Sequence, residues 1–539
     1  MSPRRPKSRT VMALAACLMV TAAACSSSSK PSAGGTATTT GAGVTAPSVI
    51  NIGYVADMQV PDPDVFYQIE GNSVVTSVYE GLVAYADNST KIIPALATSW
   101  TISPDGLTYT FNLRPNVMFH DGTMMTSHDA EVSFMRRTAL GSTVSAPAYM
   151  LADVAGYATP SPLVFVITLK VPVAPFMDYM AAPYGPKISS STALAAHAGT
   201  DMDQTWLDTH DAGTGPFTIT NFIPGQQYTL TAFPSYWGGA PKVSEIHISI
   251  IPDITTQQEE LQSGQLQMII HGLNKQDIQS YENNPKYQVQ RFPANFKDMM
   301  MVNENKGPFT SQALRSALQQ DVNKSEIVSD VYGNDASISN QIYPAGELPV
   351  GMASDTPTYD PSVLAGLVKG LSDKNVDIAY TSDDARNQQV AEIIQTELQT
   401  AGMNATVRAM PIAVAFNLPT DPKDAPDLLV STLNPDDSAP DGWVRIFMHT
   451  FDGTNGTLNW LLCSDKSADA AMDKGQNLTD PTAIQAAYAQ SGDDLYQSGC
   501  FVTIADVKDV VVADAGYSNW MHQLPTVFSV EFGKLTLHS

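Results

Sequence analysis

The sequence predicts an α/β protein built from more than one lobe. Three observations carry this. The chain has 539 residues, more than a single hydrophobic core usually serves. Its apolar content of 43% supplies material for several cores. Short segments that alternate or run apolar, as strands do, are interspersed along the chain with segments of helical period.

At the N-terminus, Arg4, Arg5, Lys7 and Arg9 precede an apolar run from Val11 to Ala24. That run is too short to cross a bilayer comfortably and has the layout of a secretory signal, residues 1–24. It ends in TAAAC, small residues leading into Cys25, and so resembles a bacterial lipobox with Ala22 where leucine is usual. Cys25 is therefore expected to carry a thioether-linked diacylglycerol. Residues 25–48, rich in Ser, Thr and Gly, read as a flexible tether. The protein is expected on the extracytoplasmic face of the cell membrane, in the periplasm or cell-wall space, held by its lipid. Cys17 leaves with the signal, so Cys463 and Cys500 are the pair left in an oxidising compartment. A disulfide between them would close a loop of about 38 residues and contribute roughly 3–4 kcal/mol.

Lys and Arg number 29 against 54 Asp and Glu, for a net charge of −25. Removing residues 1–24 takes away four positive charges and no acids, which brings the mature chain to −29. This balance excludes a nucleic-acid partner, whose phosphates need basic patches. It favours a neutral or cationic one.

Beyond the tether, 49–55, 107–113, 163–169, 227–233 and 245–251 read as strands, and 310–322, 385–402 and 481–499 as helices. The 385–402 helix is the clearest: Val390, Ile393, Ile394, Glu397 and Leu398 share one face, and Gly402 stands at its C-terminal end. With VDIAYT (376–381) before it and NATVRAM (404–410) after it, this is a strand–helix–strand unit of a parallel sheet. Such lobes bind ligands at the carboxyl ends of their strands.

No catalytic motif is present: H-E-x-x-H, G-x-S-x-G and the P-loop are all missing, so the chain is not expected to be an enzyme. No cofactor and no metal site are expected. His120 and His128 could be drawn as a metal pair, but FHDGT (119–123) reads better as a tight turn around Asp121-Gly122. Most informative is STLNPDDSAPDGWVR (431–445), with Asp436, Asp437 and Asp441 close together. A calcium loop fails here in both registers. Counted from Asn434, Arg445 takes the position of the bidentate carboxylate; counted from Asp436, Pro440 takes a ligand position. Three buried aspartates would need a cationic group to compensate them. The loop therefore holds solvated turn residues, or one of its acids faces a cation.

Four segments in order resemble one family: 78–137 (VYEGLVAY through DGLTYTFNLRPNVMFHDGT to FMRR), 213–253 (GTGPFTITNF through SYWGGAP), 261–269 (LQSGQLQMI) and 309–333 (FTSQALRSALQQDVNKSEIVSDVYG). On these the chain is identified as a member of solute-binding protein family 5, the dipeptide-, oligopeptide- and nickel-binding lipoproteins of bacterial ABC importers. The resemblance implies a two-lobed periplasmic-binding-protein fold (class II-like, cluster C) with an extra subdomain in lobe I. It implies lobe I over 49–275 with the insertion at about 80–190, lobe II over 276–505 and a return to lobe I over 506–539. It further implies a monomer that encloses a peptide or other small solute between its lobes and presents it to ABC permease subunits. Another solute on the same fold, an oligosaccharide, a nickel chelate or haem, is the alternative; for nickel, His449 is the histidine near the 431–445 loop.

The family's dipeptide binders carry a loop, GDNGDPDNF, whose first aspartate pairs with the ligand's α-ammonium. DDSAPDGW falls on DNGDPDNF with Asp436 at that position, Asp437 on the next and Asp441 on the last aspartate. Tyr380, Thr381 and Trp443 are further candidates for the cleft. One departure matters. The arginine that holds a dipeptide carboxylate would stand in YTSDD (380–384), at or near Thr381, and the nearest cation is Arg386. The resemblance therefore points to an amine-bearing ligand without requiring a dipeptide.

Overall fold

A long antiparallel strand pair is the spine of the molecule. The computed structural model describes residues 48–347, 358–453, 457–519, 521–522 and 529–537. The expected signal segment, Cys25 and the tether up to residue 47 lie outside them. Among the described residues no helix is long and apolar enough to cross a membrane.

Eleven strands form one large sheet: β1 (Val49–Tyr54), β2 (Phe217–Ile223), β3 (Gln227–Ala232), β4 (Glu245–Ile250), β5 (Met268–Ile269), β6 (Tyr287–Val302), β7 (Ala336–Ile338), β8 (Asn375–Thr381), β9 (Asn404–Met410), β10 (Leu428–Leu433) and β11 (Phe501–Asp514). Their order is β9-β8-β10-β6-β11-β5-β1-β4-β3-β2, with β7 beside β11. β6 and β11 are antiparallel from Tyr287↔Asp514 to Met301↔Phe501, and the register breaks between Phe292 and Phe296. Pro293 lies in that break, where a missing N–H costs no ladder bond.

The cores on either side of the break differ. Phe292, Val511 and Ala513 pack with Ile50, Ile52, Tyr228, Leu230 and Ile248 in lobe I. Phe296, Met300, Val302, Val502, Ile504 and Val507 pack in lobe II. On this basis we place the two crossings at 293–295 and 508–510. That is later along the chain than the expected boundary after 275, because Tyr281 and Tyr287 pack with Leu261, Ile269 and Val512 on the lobe I side.

In lobe II the sheet is covered on both faces. Met300, Val302, Leu428 and Val430 point to one core, and Met299, Met301, Leu429 and Leu433 to the other. Strands buried twice need no alternation, which explains the unbroken runs MMMV and LLV. The unit read around 385–402 is present: β8 and β9 are parallel in register from Asn375↔Asn404 to Thr381↔Met410. The helix between them, Ala385–Thr400, buries Val390, Ile394 and Leu398, with Gly402 following at φ +96°. Cys463 and Cys500 are bonded to each other.

Inserted in lobe I is a four-stranded antiparallel sheet in the order Ala97–Ile102, Thr108–Leu113, Val164–Leu169, Val154–Ser161. Its alternating residues, Tyr109, Phe111 and Leu113 with Phe165, Ile167 and Leu169, join the lobe I core. The helix Ser127–Leu140 packs on it. The segments that carried the family resemblance serve as scaffold here. Half-buried Glu80 accepts from Trp237 Nε1 (2.8 Å), Tyr236 Oη (2.9 Å) and Thr214 Oγ1 (2.8 Å), and Arg114 lies 4.0 Å over the Trp237 ring. His120 bonds Asp211 and the Gly215 carbonyl, a link within lobe I, while His128 is exposed beside Glu131.

Candidate functional site in the inter-lobe cleft

The 434–439 loop leaves the carboxyl end of β10 and runs into the helix Pro440–Met448. This is where a parallel unit exposes backbone and side chains to a ligand. Asp436 is 5% exposed, and its Oδ2 accepts from Tyr67 Oη at 2.7 Å and Tyr149 Oη at 2.9 Å. Both tyrosines belong to lobe I, so this one carboxylate joins the lobes. Burial raises its pKa to about 6 against the opposing effect of the two tyrosine donors.

Tyr67 is held in place by charge. The loop that carries it contains Asp62 and Asp64, and both are buried against the Ser127–Leu140 helix. Arg136 reaches Asp62 at 2.6 Å and Asp64 at 2.8 Å, and Arg137 reaches Asp64 at 2.8 Å and the Tyr184 carbonyl at 2.7 Å. The Tyr67 ring then stands edge-on to Tyr184, 5.1 Å between centroids, as Tyr149 does to Tyr179 at 5.7 Å.

Asp437 is fully buried. Its Oδ1 accepts from the Ala439 amide at 2.8 Å, and its Oδ2 has no hydrogen-bond partner. A Cβ at position 442 would come within 2.5 Å of that Oδ2, so Gly442 is required for the loop to close onto the helix. Asp441 is engaged inside lobe II, by Tyr488 Oη at 2.6 Å and by Arg445 Nε at 3.0 Å.

A second bridge lies beside the first. The Ser438 amide donates to Tyr85 Oη at 2.9 Å, and Tyr85 Oη donates to Asp178 Oδ1 at 3.0 Å. Within lobe II, Asn295 Nδ2 donates to Glu347 Oε1 at 2.7 Å and approaches Ser438 Oγ at 3.4 Å. Burial raises the pKa of Asp178 to about 6. It also raises Glu347 and Asp437, and the charges of Asp437 and Asp178 add to the effect on Glu347.

The other predicted residues sit apart from this bridge. Thr381 is fully buried within lobe II, its Oγ1 2.9 Å from Ser431 Oγ and accepting from Asn387 Nδ2 at 3.0 Å. Tyr380 is half-buried and packs on the lobe II core. Trp443 is fully buried in that lobe's other core and donates to the Ile342 carbonyl at 2.8 Å. Arg386 is committed to Asp384 (2.5 Å) and lies over the Tyr332 ring at 5.4 Å. His449 is half-buried, 3.4 Å from Asp473 and 3.8 Å from Asp469. Among the described residues, one group of three potential metal ligands comes together, Glu304 with Cys463 and Cys500, and its two sulfurs are already joined.

Tyr67, Tyr85, Tyr149, Asp178, Asn295 and Glu347 were not legible in the sequence. Tyr67 and Tyr149 stand 369 and 287 positions from Asp436, and no local pattern marks them. What the residues assemble is a cleft of carboxylates and tyrosine hydroxyls, an acceptor-rich surface suited to a cation that carries hydrogen-bond donors.

The profile of the bacterial extracellular solute-binding proteins, family 5 Middle, matches residues 91–455. Di/tripeptide-binding protein 2 of Pseudomonas aeruginosa is 28% identical over 356 residues, 61% of this chain and 66% of that one. The nickel-binding periplasmic protein of Escherichia coli is 27% identical over 351 residues, 61% of this chain and 65% of that one. The matches thus span just under two thirds of these relatives' own length. Among solved structures, the periplasmic binding protein DppA of Helicobacter pylori, in complex with the peptide STSA, shares the fold: TM-score 0.78 at 20% identity, over 91% of this chain and 98% of that one. With the family profile matching more than half of its length, the chain belongs to the bacterial extracellular solute-binding proteins of family 5.

Proposed function

We propose that the chain is the extracytoplasmic substrate-binding lipoprotein of an ABC importer. It captures peptides by their amine between the lobes and delivers them to the membrane permease. The observation that carries this reading is Asp436, a lobe II carboxylate enclosed by two lobe I tyrosines. A desolvated ammonium needs a fixed carboxylate with charge-assisted hydrogen bonds, and a ligand that touches both lobes favours their closed arrangement. The relatives named for di- and tripeptides support the ligand class. Arg386 is already paired with Asp384, which supports recognition through the amine and backbone without a carboxylate clamp. Asp437 lies next to this anchor. The site we draw leaves Thr381 and Trp443 to the interior of lobe II, with Tyr380 at its core's margin. Two or three acyl chains on Cys25 would anchor the protein stably where one would be marginal. Nickel chelation is less favoured, because His449 lies beside Asp469 and Asp473 instead of Asp436.

The test is calorimetry of the mature protein with a free-amine tripeptide and its N-acetylated form. Asp436→Asn, or acetylation, is expected to weaken binding by about 30-fold or more, the usual cost of removing one partner of a buried charge pair. Unchanged affinity in both comparisons would overturn the anchoring role.

A further inference from the structure

Several buried acids are matched by arginines: Asp62 and Asp64 by Arg136 and Arg137, Asp384 by Arg386, Asp441 by Arg445. Among the described residues Asp298 and Asp321 are buried without such a pair, and the cleft brings two more together. Glu347 is 3% exposed, with one oxygen held by Asn295 and Oε2 without a partner. Asp437 Oδ2 is likewise buried and unpartnered. Asp437 at least lies against the first turn of the Pro440–Met448 helix, whose amide end offsets negative charge. Among the described residues Glu347 has no such support. Lys297 is the cation whose charge reaches Glu347, and it is paired with Asp506 at 2.7 Å. A buried carboxylate left without a counter-charge is costly, and one amine on Asp436 does not relieve it. A shared metal ion does not fit either, since among the described residues no three of these carboxylates converge on one point.

We propose that Glu347, with Asp437 beside it, forms a second cation subsite in the cleft, so that the preferred ligand carries two positive groups. This deepens the peptide-binding reading and rests on it: the first group is the amine at Asp436, the second a basic side chain or another amine. Asn295 orients Glu347 and, through Ser438, couples it to the Tyr85–Asp178 bridge from lobe I. Filling the second subsite thus acts on closure as well as on contact.

Calorimetry on the mature protein with trialanine, with tripeptides holding lysine at each position in turn, and with 1,4-diaminobutane tests this. At least one lysine peptide is expected to bind about tenfold or more tighter than trialanine. Glu347→Gln should lower that peptide's affinity several-fold more than it lowers trialanine's. Equal affinities in the wild type, or a lysine preference that survives Glu347→Gln, overturns the second subsite while leaving a peptide binder. Diamine binding without peptide binding keeps the subsite and sinks the peptide reading. Should Glu347→Gln fail to fold, the wild-type preference decides, with Glu347→Asp as the second variant.

Discussion

At the level of single residues, the two tyrosines on Asp436 do different work from the aspartate they touch. Asp436 supplies charge; Tyr67 and Tyr149 fix one of its oxygens, Oδ2, and in the proposed site the other receives the ligand's amine. Hydrogen bonds to a charged group contribute about 1.5–3 kcal/mol, so Tyr67→Phe should weaken ligand binding roughly tenfold or more. Because both donors share one oxygen, the double variant Tyr67→Phe/Tyr149→Phe should lose less than the two single losses combined, measurable as a double-mutant cycle by calorimetry. Trp443 makes the opposite case. It was a candidate for the cleft and lies in the lobe II core. Trp443→Ala should cost about 3–5 kcal/mol of stability in urea unfolding, the range for emptying an aromatic core site.

Among the elements, the loop before the Asn72–Val78 helix depends on a helix of the inserted subdomain. Arg136 and Arg137 are consecutive, so they diverge around the Ser127–Leu140 helix, and together they span Asp62, Asp64 and the Tyr184 carbonyl. Arg136→Ala leaves two carboxylates buried with reduced compensation. It should destabilise by roughly 3–5 kcal/mol and, by loosening the loop that carries Tyr67, weaken ligand binding too. A loss of stability with no change in affinity would show that Tyr67 is held by its packing on Tyr184 alone. The same scale explains the lobe II sheet. Its central strands read as plain apolar runs because two cores claim alternate residues, so the two-residue period that marked 107–113 disappears.

For the whole molecule the question is what closes the cleft. The chain crosses between lobes at the register break around Pro293 and at 508–510, a short double crossing suited to a hinge. Asp178 of lobe I lies within electrostatic reach of Asp437 and Glu347 of lobe II, and Asp436 is buried between the lobes. Under the proposed capture mechanism, closing the cleft encloses these acids. Asp436 and Asp178 are both raised by burial to about 6 from an ordinary value of 3.8. Keeping either one charged when enclosed costs on the order of 3 kcal/mol. Between pH 4 and 6 the empty closed state holds protons that the open state has released. Empty closure therefore becomes easier as the pH falls through 6 and is opposed above it. A cationic ligand reverses this, since it binds the charged form. Its affinity should be highest above about pH 6 and decline toward about pH 5, and Asp436→Asn should flatten the decline in calorimetric titrations.

Sequence alone determined the α/β class, the 376–410 strand–helix–strand unit, the Cys463–Cys500 pair as the cysteines left to bond, and the family. All of these rest on periodicity within an element, on counting, or on motifs whose residues are neighbours in the chain. It also singled out the 431–445 loop, and the family resemblance put Asp436 at the amine-pairing position within it. Tertiary structure alone decided what those residues face. Tyr67 and Tyr149 reach Asp436 from 369 and 287 positions away, and Glu347 gains its environment from Asn295, Asp437 and Asp178. Side chains separated by that much chain leave no local period, and the cost of a carboxylate depends on how deeply its surroundings bury it. That is why the loop stood out in the sequence and the residues packed against it did not.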